Sequence, residues 1–181
     1  HKKELNNVQW WVNLPVNIPK IRKNKVISVL SEKSFDIGHE LRINISKSSN
    51  KIDVYGRENY HKLENYIGTL KNKEDEYVNY KYCLVVENNN EKNYATEKIW
   101  DGILCECLCF YWGCSNLEEY IDNDAFIRLD KNDIDKSIKI IDNALKNDEW
   151  LKRIDTIKLM KNKIINKLGF FPRLKNIIYK K

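Results

Sequence analysis

Residues 80–101 read YKYCLVVENNNEKNYATEKIWD and contain an apolar run, a polar loop and the beginning of a helix. The apolar run ends at Val86, and the polar segment 87–95 follows it. Thr96 is of a residue type that favours the position before the first helical turn, because its hydroxyl can accept hydrogen bonds from free backbone amides. This strand–loop–helix unit predicts an α/β fold in which the loop after the strand is the place for chemistry.

The chain on either side of this unit alternates between short apolar runs and stretches with helical periodicity. Strands are predicted at residues 26–30, 51–56, 82–88, 107–112 and 125–129. Helices are predicted at residues 38–47, 96–105, 116–121, 130–145 and 148–167. Residues 57–79 are polar and irregular, which predicts a long loop with short helical pieces. The order is typical of an α/β domain with a mainly parallel sheet and helices on both faces.

The composition bounds the class of protein. The chain has 181 residues, of which 42% are apolar and 32% are charged, so it can bury one core and is not a disordered tail. We find neither a secretory signal nor an apolar stretch near the roughly 18 residues of a membrane span. We therefore expect a cytoplasmic or membrane-peripheral location, and a lumenal one would require an anchor before His1.

The net charge of +6 is concentrated at the C-terminus, where residues 151–181 carry ten Lys or Arg against one acid, Asp155. Such a tail can contact phosphates or an anionic membrane surface. An ordinary solvated helix face fits equally well, and both interpretations stay open. The sequence shows no zinc-finger, RNP or helix-turn-helix signature, so we do not expect a nucleic-acid partner.

The five cysteines are an odd number, which is unlike a secreted disulfide framework. Cys105, Cys107 and Cys109 alternate, so a strand would place three thiols on one face. Zinc sites usually show C-x2-C pairs instead. We therefore predict a buried strand rather than a metal site, in a reducing compartment.

The helix that follows the polar loop predicts an anion site. Backbone amides at a helix N-terminus favour negative charge, and Lys98 adds a cation there. Glu97 can accept hydrogen bonds from sugar hydroxyls, and Tyr94 can stack on a ring or bind a phosphate. From these residues alone we predict a nucleotide or sugar-phosphate site, with ordinary first-turn surface residues as the alternative.

Several ordered motifs resemble the α-1,3-fucosyltransferase family, glycosyltransferase family 10. The resemblance runs from about residue 25 to residue 146. It rests on segments 38–42 (GHELR), 51–57 (KIDVYGR), 80–88 (YKYCLVVEN), 94–101 (YATEKIWD), 110–114 (FYWGC) and 124–127 (DAFI). The resemblance implies the Rossmann-like, donor-binding C-terminal half of a GT-B glycosyltransferase.

The resemblance also implies a division of the chain. Residues 1–24 would be an arm or the remnant of an acceptor domain, 25–146 the donor-binding domain, and 147–181 a basic helix and tail. Two adjacent tryptophans, Trp10 and Trp11, predict that the arm packs on another surface. The implied reaction is inverting transfer of a sugar from a nucleotide diphosphate sugar, with GDP-fucose favoured, to a glycan acceptor. A non-catalytic nucleotide-sugar binding module that needs a partner domain is the alternative.

Five residues are carried over from the resemblance to the donor site. Arg42 and Lys98 would contact the diphosphate, and Glu97 would hold the ribose. Asn88 and Tyr94 would frame the nucleotide and the sugar. No cofactor besides the sugar nucleotide is implied.

Two further candidates stay open, because His39 is a near neighbour of Arg42 and Glu87 ends the strand beside the site. The catalytic base is not assigned. The family's acceptor domain is understood to supply a carboxylate for this purpose, so we expect a preceding domain or a partner chain to contribute it. A metal-dependent mechanism would require paired carboxylates, for which residues 122–124 (DND) are the compact candidate. Their position in a turn before a strand argues against that role.

Overall fold

The computed structural model describes residues 8–179, which contain six strands and six α-helices. The strands are β1 (Lys23–Leu30), β2 (Ile52–Gly56), β3 (Tyr66–Gly68), β4 (Tyr80–Val86), β5 (Leu108–Trp112) and β6 (Phe126–Arg128). The helices are α1 (Ile37–Lys47), α2 (Lys73–Tyr77), α3 (Glu97–Leu104), α4 (Ile134–Lys146), α5 (Glu149–Lys163) and α6 (Phe170–Tyr179). Short 3-10 turns occur at Leu117–Glu119 and Asn123–Ala125, and a π-helical turn at Ile164–Leu168.

All six strands are parallel, in the order β3-β2-β1-β4-β5-β6. This is the strand order of the Rossmann fold, and it confirms the predicted fold class. After β1 the chain adds β2 and β3 toward one edge of the sheet, and it then adds β4, β5 and β6 toward the other edge. The carboxyl ends of β1 and β4 therefore flank a crevice, where such sheets bind ligands.

Helices cover both faces of the sheet. Ile27 of β1 pairs with Cys83 of β4, so these two side chains share one face. Gly102 of α3 lies against the Cys83 sulfur on that face. The hydroxyl of Ser28, on the opposite face, is 2.8 Å from that of Ser46 in α1. The buried apolar core lies on both sides of the sheet, as in other parallel α/β proteins.

The segment predicted as a long loop contains regular structure. Residues 57–79 include the three-residue strand β3 and the single-turn helix α2. The amide nitrogen of Asn65 donates to the carbonyl oxygens of Ser46 and Ile52, both at 2.7 Å, and this anchors the segment beside α1. A strand of three residues is too short for an alternating pattern to reveal it.

The three alternating thiols do not share one strand face, in line with the predicted end of the helix at residue 105 and start of the strand at residue 107. Cys105 ends α3, Cys107 precedes β5, and only Cys109 lies in a strand. Glu106 has φ of 58°, a left-handed conformation that interrupts any extended run. All five cysteines of the chain are nonetheless buried and unpaired, as free cysteines in cores usually are.

The N-terminal arm packs on the body of the domain. Val8 is buried and forms a parallel bridge with Gly169, just before α6. The ring of Trp10 is partly buried against the same glycine. The start of the predicted arm, residues 1–7, and the end of the predicted basic tail, residues 180–181, lie outside the described residues.

Between residues 8 and 179 there is no helix with the length and apolar character that a membrane crossing requires.

Candidate functional site

A cavity of about 330 Å³ lies at the carboxyl ends of β1 and β4. Its volume is within the range of small-molecule sites. Five of the residues singled out from the sequence line it together, namely His39, Arg42, Asn88, Glu97 and Lys98. These residues come from two helices and one strand end, so the fold gathers positions that are up to 59 residues apart in the chain.

The charges that line the cavity are unbalanced. Four cationic side chains contribute to its walls, from Lys33, Arg42, Lys73 and Lys98. Glu97 is the one carboxylate among the lining residues. Buried carboxylates behind the wall pair with Lys73 and Lys98 and offset part of this charge. The excess of cations that remains favours an anion in the cavity.

A glycine brings α1 close to the end of β4. The backbone N–H of Gly38 donates to the carbonyl oxygen of Asn88 at 3.3 Å. A Cβ atom on Gly38 would lie 1.7 Å from the carbonyl oxygen of Glu87, which no other residue could accommodate. This contact sets the width of the crevice between α1 and the loop after β4.

Glu87 is fully buried and organises the start of α3. Its carboxylate accepts hydrogen bonds from the backbone N–H of Thr96 at 2.8 Å and from the Thr96 hydroxyl at 2.6 Å. It also accepts from Lys98 Nζ at 3.3 Å. Glu87 does not line the cavity, and its contacts give it a positioning role.

Lys98 is held at the cavity wall by three neighbours. Its Nζ lies 2.9 Å from the Thr96 hydroxyl, 3.3 Å from Glu87 Oε2 and 3.4 Å from Glu97 Oε1. The side chains of Glu97 and Lys98 are 17% and 20% exposed, so both can still reach a ligand. The first turn of α3 thus presents a cation and a carboxylate to the cavity, at the helix end that favours negative charge.

Arg42 and His39 form the opposite wall, on α1. Burial lowers the pKa of Arg42, while the negative charges of Glu87 and Glu97 oppose this shift. The Nε atom of Arg42 is buried and has no hydrogen-bond partner among residues 8–179. The buried imidazole of His39 has a pKa lowered by desolvation and then by Arg42, which favours its neutral form. Its Nδ1 lies 3.4 Å from Asp36 Oδ2.

Tyr94 lies outside the set of residues that line the cavity. Its side chain is partly buried in the loop after β4, and desolvation raises its pKa. The loop itself is well anchored, because the side-chain oxygen of Asn93 accepts from the Asn116 amide at 2.9 Å and from the Tyr120 hydroxyl at 2.6 Å.

Among residues 8–179 we find no cluster of three or more His, Cys, Asp or Glu side chains arranged to hold a metal ion. In the DND segment, Asp122 accepts the backbone N–H of Asp124 at 2.9 Å and caps a 3-10 turn. This local role accounts for its position before β6.

Sequence reasoning missed three of the residues that line the cavity: Trp11, Lys33 and Lys73. Lys33 follows the first strand, so its position in a βα loop was an available signal. Trp11 and Lys73 belong to the arm and to α2, and no local pattern connects them to the carboxyl ends of β1 and β4.

The sheet has the Rossmann strand order and a cationic cavity at its switch point, where such sheets bind ligands. Solved structures of GT-B glycosyltransferases share this fold. The profile described as "Glycosyltransferase family 10 (fucosyltransferase) C-term" matches residues 19–153. The chain therefore belongs to glycosyltransferase family 10, and the resemblance seen in the sequence is confirmed.

Solved structures share the fold at low sequence identity. A crystal structure of an α1,3-fucosyltransferase with GDP-fucose is 20% identical, with a TM-score of 0.58 over 73% of this chain and 38% of that one. TarM of S. aureus is 13% identical, with a TM-score of 0.62 over 90% and 36%. Anabaena Alr3699/HepE, in complex with UDP and glucose, is 10% identical, with a TM-score of 0.61 over 87% and 49%. The chain spans less than half the length of each of these structures.

We predict that Glu87→Ala lowers the free energy of unfolding by about 2–4 kcal/mol, because charged hydrogen bonds at the start of α3 are lost in a buried place. Glu87→Gln should cost less, since its amide oxygen can still accept from Thr96. Urea denaturation of both variants measures the effect. Thr96→Val is the matched control, because it removes the hydrogen bond from the Thr96 hydroxyl to Glu87 and keeps the Glu87 carboxylate. Unchanged stability in Glu87→Ala would contradict the positioning role.

Proposed function

We propose that this chain is the donor-binding half of a sugar transferase and binds a nucleotide diphosphate sugar, with GDP-fucose favoured. The observation that carries the proposal is the cavity at the β1–β4 switch point, which is lined by four cations and one carboxylate. A diphosphate supplies the negative charge that this arrangement favours, and a ribose supplies hydroxyls for the carboxylate. The family membership and the GDP-fucose complex of a structural neighbour support the choice of donor.

We assign the donor-binding roles as follows. Lys98 and the α3 N-terminus bind the diphosphate from one wall, and Arg42 binds it from the other. Glu97 holds the ribose, while Asn88 lies between the two walls at the strand end. His39 adds a neutral hydrogen-bonding group beside Arg42. Tyr94 acts from the loop after β4, as a support for the nucleotide rather than as a cavity wall.

The proposed reaction is inverting transfer to a glycan acceptor. The acceptor hydroxyl attacks the anomeric carbon from the face opposite the nucleotide, the bond to the diphosphate breaks, and a carboxylate takes the hydroxyl proton. Lys98 and Arg42 stabilise the negative charge that develops on the leaving diphosphate. Lys98 is in place before the reaction, because Glu87 and Thr96 position it.

We predict that Lys98→Ala weakens GDP binding about 10- to 150-fold, the effect of losing a charged hydrogen bond of about 1.5–3 kcal/mol. Isothermal titration calorimetry with GDP, GDP-fucose and UDP measures it, with and without EDTA. We expect preference for the guanine nucleotides and the same affinity in EDTA.

Lys92→Ala is the matched control, because Lys92 is an exposed lysine of the same strand-to-helix segment that does not line the cavity. Equal affinities of Lys98→Ala and the unsubstituted chain would contradict the assignment of Lys98. Preference for UDP would exclude GDP-fucose as the donor.

A non-catalytic nucleotide-sugar binding module is the second candidate. It is favoured by one observation: Glu97 is the one carboxylate among the cavity-lining residues, and its neighbour at 3.4 Å is the ammonium of Lys98. General-base catalysis typically contributes about 10²–10⁴-fold to a rate, so a donor site without a base is a poor catalyst.

We therefore predict that residues 1–181 bind GDP-fucose but transfer labelled fucose to N-acetylglucosamine- or galactose-terminated acceptors no faster than a reaction without protein. Transfer that arises only when a longer form of the protein or a partner chain is supplied would support the donor-half proposal. Binding without transfer under both conditions would support the non-catalytic module. Robust turnover by residues 1–181 alone would contradict both, and Glu97 would be the first carboxylate to substitute.

We also propose that the basic C-terminal region contacts an anionic membrane surface. In α6 the side chains of Phe170, Phe171, Ile177 and Ile178 are exposed and fall on one face of the helix. Amphipathic helices with apolar residues on one face and basic residues beside them bind anionic lipid surfaces.

We predict that the chain co-sediments with vesicles containing phosphatidylglycerol and not with pure phosphatidylcholine vesicles, and that high salt weakens this association. Ile177→Glu should abolish it, because it places a negative charge in the apolar face. Ile21→Glu is the control, since Ile21 is 90% exposed but lies in the N-terminal arm. Equal association of both variants, or none in the unsubstituted chain, would contradict the contact.

A further inference from the structure

Trp11 presents a large aromatic ring to solvent at the wall of the donor cavity. Its side chain is the most exposed of the five tryptophans, at 66%, whereas Trp100 and Trp112 are buried. The arm does not need this ring for its own attachment, because Val8, Trp10 and Val12 pack on the core. An exposed aromatic ring beside a cavity is therefore available to a ligand.

The backbone of Trp11 is anchored by the same helix that carries the proposed diphosphate site. The backbone N–H groups of Trp11 and Val12 donate to Asp101 Oδ1 at 2.7 and 3.3 Å. Asp101 lies in α3, one turn after the residues that line the cavity, and is fully buried. Its other oxygen accepts from Lys73 Nζ at 2.7 Å.

Lys73 also determines which part of the ring is open. Its ammonium lies 4.6 Å from the centroid of the Trp11 ring and covers one face of it. The ring remains two-thirds exposed, so the uncovered face is open. The backbone of Trp11 is anchored, and an aromatic side chain has few rotatable bonds, so it loses little conformational freedom when a ligand stacks on it.

The cavity combines cationic side chains with apolar and aromatic ones. Besides the four cations, it is lined by Trp11, Val29, Leu30, Tyr77 and Leu84. A ligand that combines phosphate groups with a flat ring matches this combination.

We propose that Trp11 is a stacking platform for the base of the nucleoside diphosphate that the cavity binds. The inference rests on the proposed donor site and adds the element that recognises the base. Every nucleobase has a flat π-face, so the platform contributes affinity, while the choice between guanine and uracil is made by hydrogen-bonding groups elsewhere.

The test compares the unsubstituted chain with Trp11→Ala, Trp11→Phe and Ile21→Ala in titrations with GDP, GDP-fucose and inorganic pyrophosphate. We expect Trp11→Ala to weaken GDP and GDP-fucose equally, by about 5- to 150-fold, the usual effect of removing one base-stacking aromatic side chain. Pyrophosphate affinity should not change, and Trp11→Phe should recover most of the loss. Ile21→Ala controls for an exposed apolar substitution in the same arm, outside the cavity.

Three results would overturn the inference while leaving the donor site intact. The first is an unchanged affinity of Trp11→Ala for GDP. The second is a loss of affinity for GDP-fucose alone, which would assign the ring to the sugar. The third is a loss of affinity that extends to pyrophosphate, which would give the ring a role in the structure of the cavity. If the unsubstituted chain binds none of the three ligands, the proposed donor site itself is overturned, and the stacking role with it. Tryptophan fluorescence gives a second readout, since GDP should change the emission of the unsubstituted chain more than that of Trp11→Phe.

Discussion

The buried carboxylate of Glu87 is the interaction on which the rest of the site depends. It ends β4 and holds both the backbone and the hydroxyl of Thr96, so the first turn of α3 begins at a fixed point. Two glycines lie against Glu87, at positions where a larger residue would not fit. A Cβ atom on Gly38 would collide with the Glu87 carbonyl oxygen, and one on Gly113, whose φ is 153°, would lie 2.4 Å from Glu87 Cγ. A buried acid that is satisfied by neighbouring donors stabilises one specific geometry, because any shift of those donors leaves it unpaired.

The fold followed from local patterns where the elements were long enough to show them. Strand β5 is a fully apolar run and β4 is apolar except for Lys81, and the alternation of such strands with helices correctly predicted a parallel sheet. The errors arose where local conformation was decided by something other than polarity. The edge strand β3 has three residues and is held in place by contacts of Asn65 with α1 and β2. The alternation of the cysteines in 105–109 does not mark one strand, because the positive φ of Glu106 separates the end of α3 from the start of β5.

Part of the candidate site could likewise be predicted from the sequence, and part could not. Glu97 and Lys98 are adjacent to a strand end and a helix start, so sequence reasoning could place them beside the cavity. The aromatic wall could not be found in this manner. It depends on a hydrogen bond between Trp11 and Asp101, 90 residues apart, and on an ion pair between Asp101 and Lys73, 28 residues apart. Contacts at such separations are set by the packing of α2 and the arm on α3, which no periodicity encodes.

The position of the cations also bears on where the catalytic base of the proposed reaction would lie. The groups assigned to the diphosphate, Arg42 and Lys98, lie on the walls of one cavity in one domain. In inverting transfer the attacking hydroxyl approaches the anomeric carbon from the face opposite the leaving group, so its proton must be accepted on that face. Glu87 is fully committed to Thr96 and Lys98, and Glu97 is on the same helical turn as Lys98, which we assign to the diphosphate. In the proposed inverting reaction, a base on the far face would come from across the cleft. This domain would then stabilise the leaving group, and the group facing it would activate the acceptor.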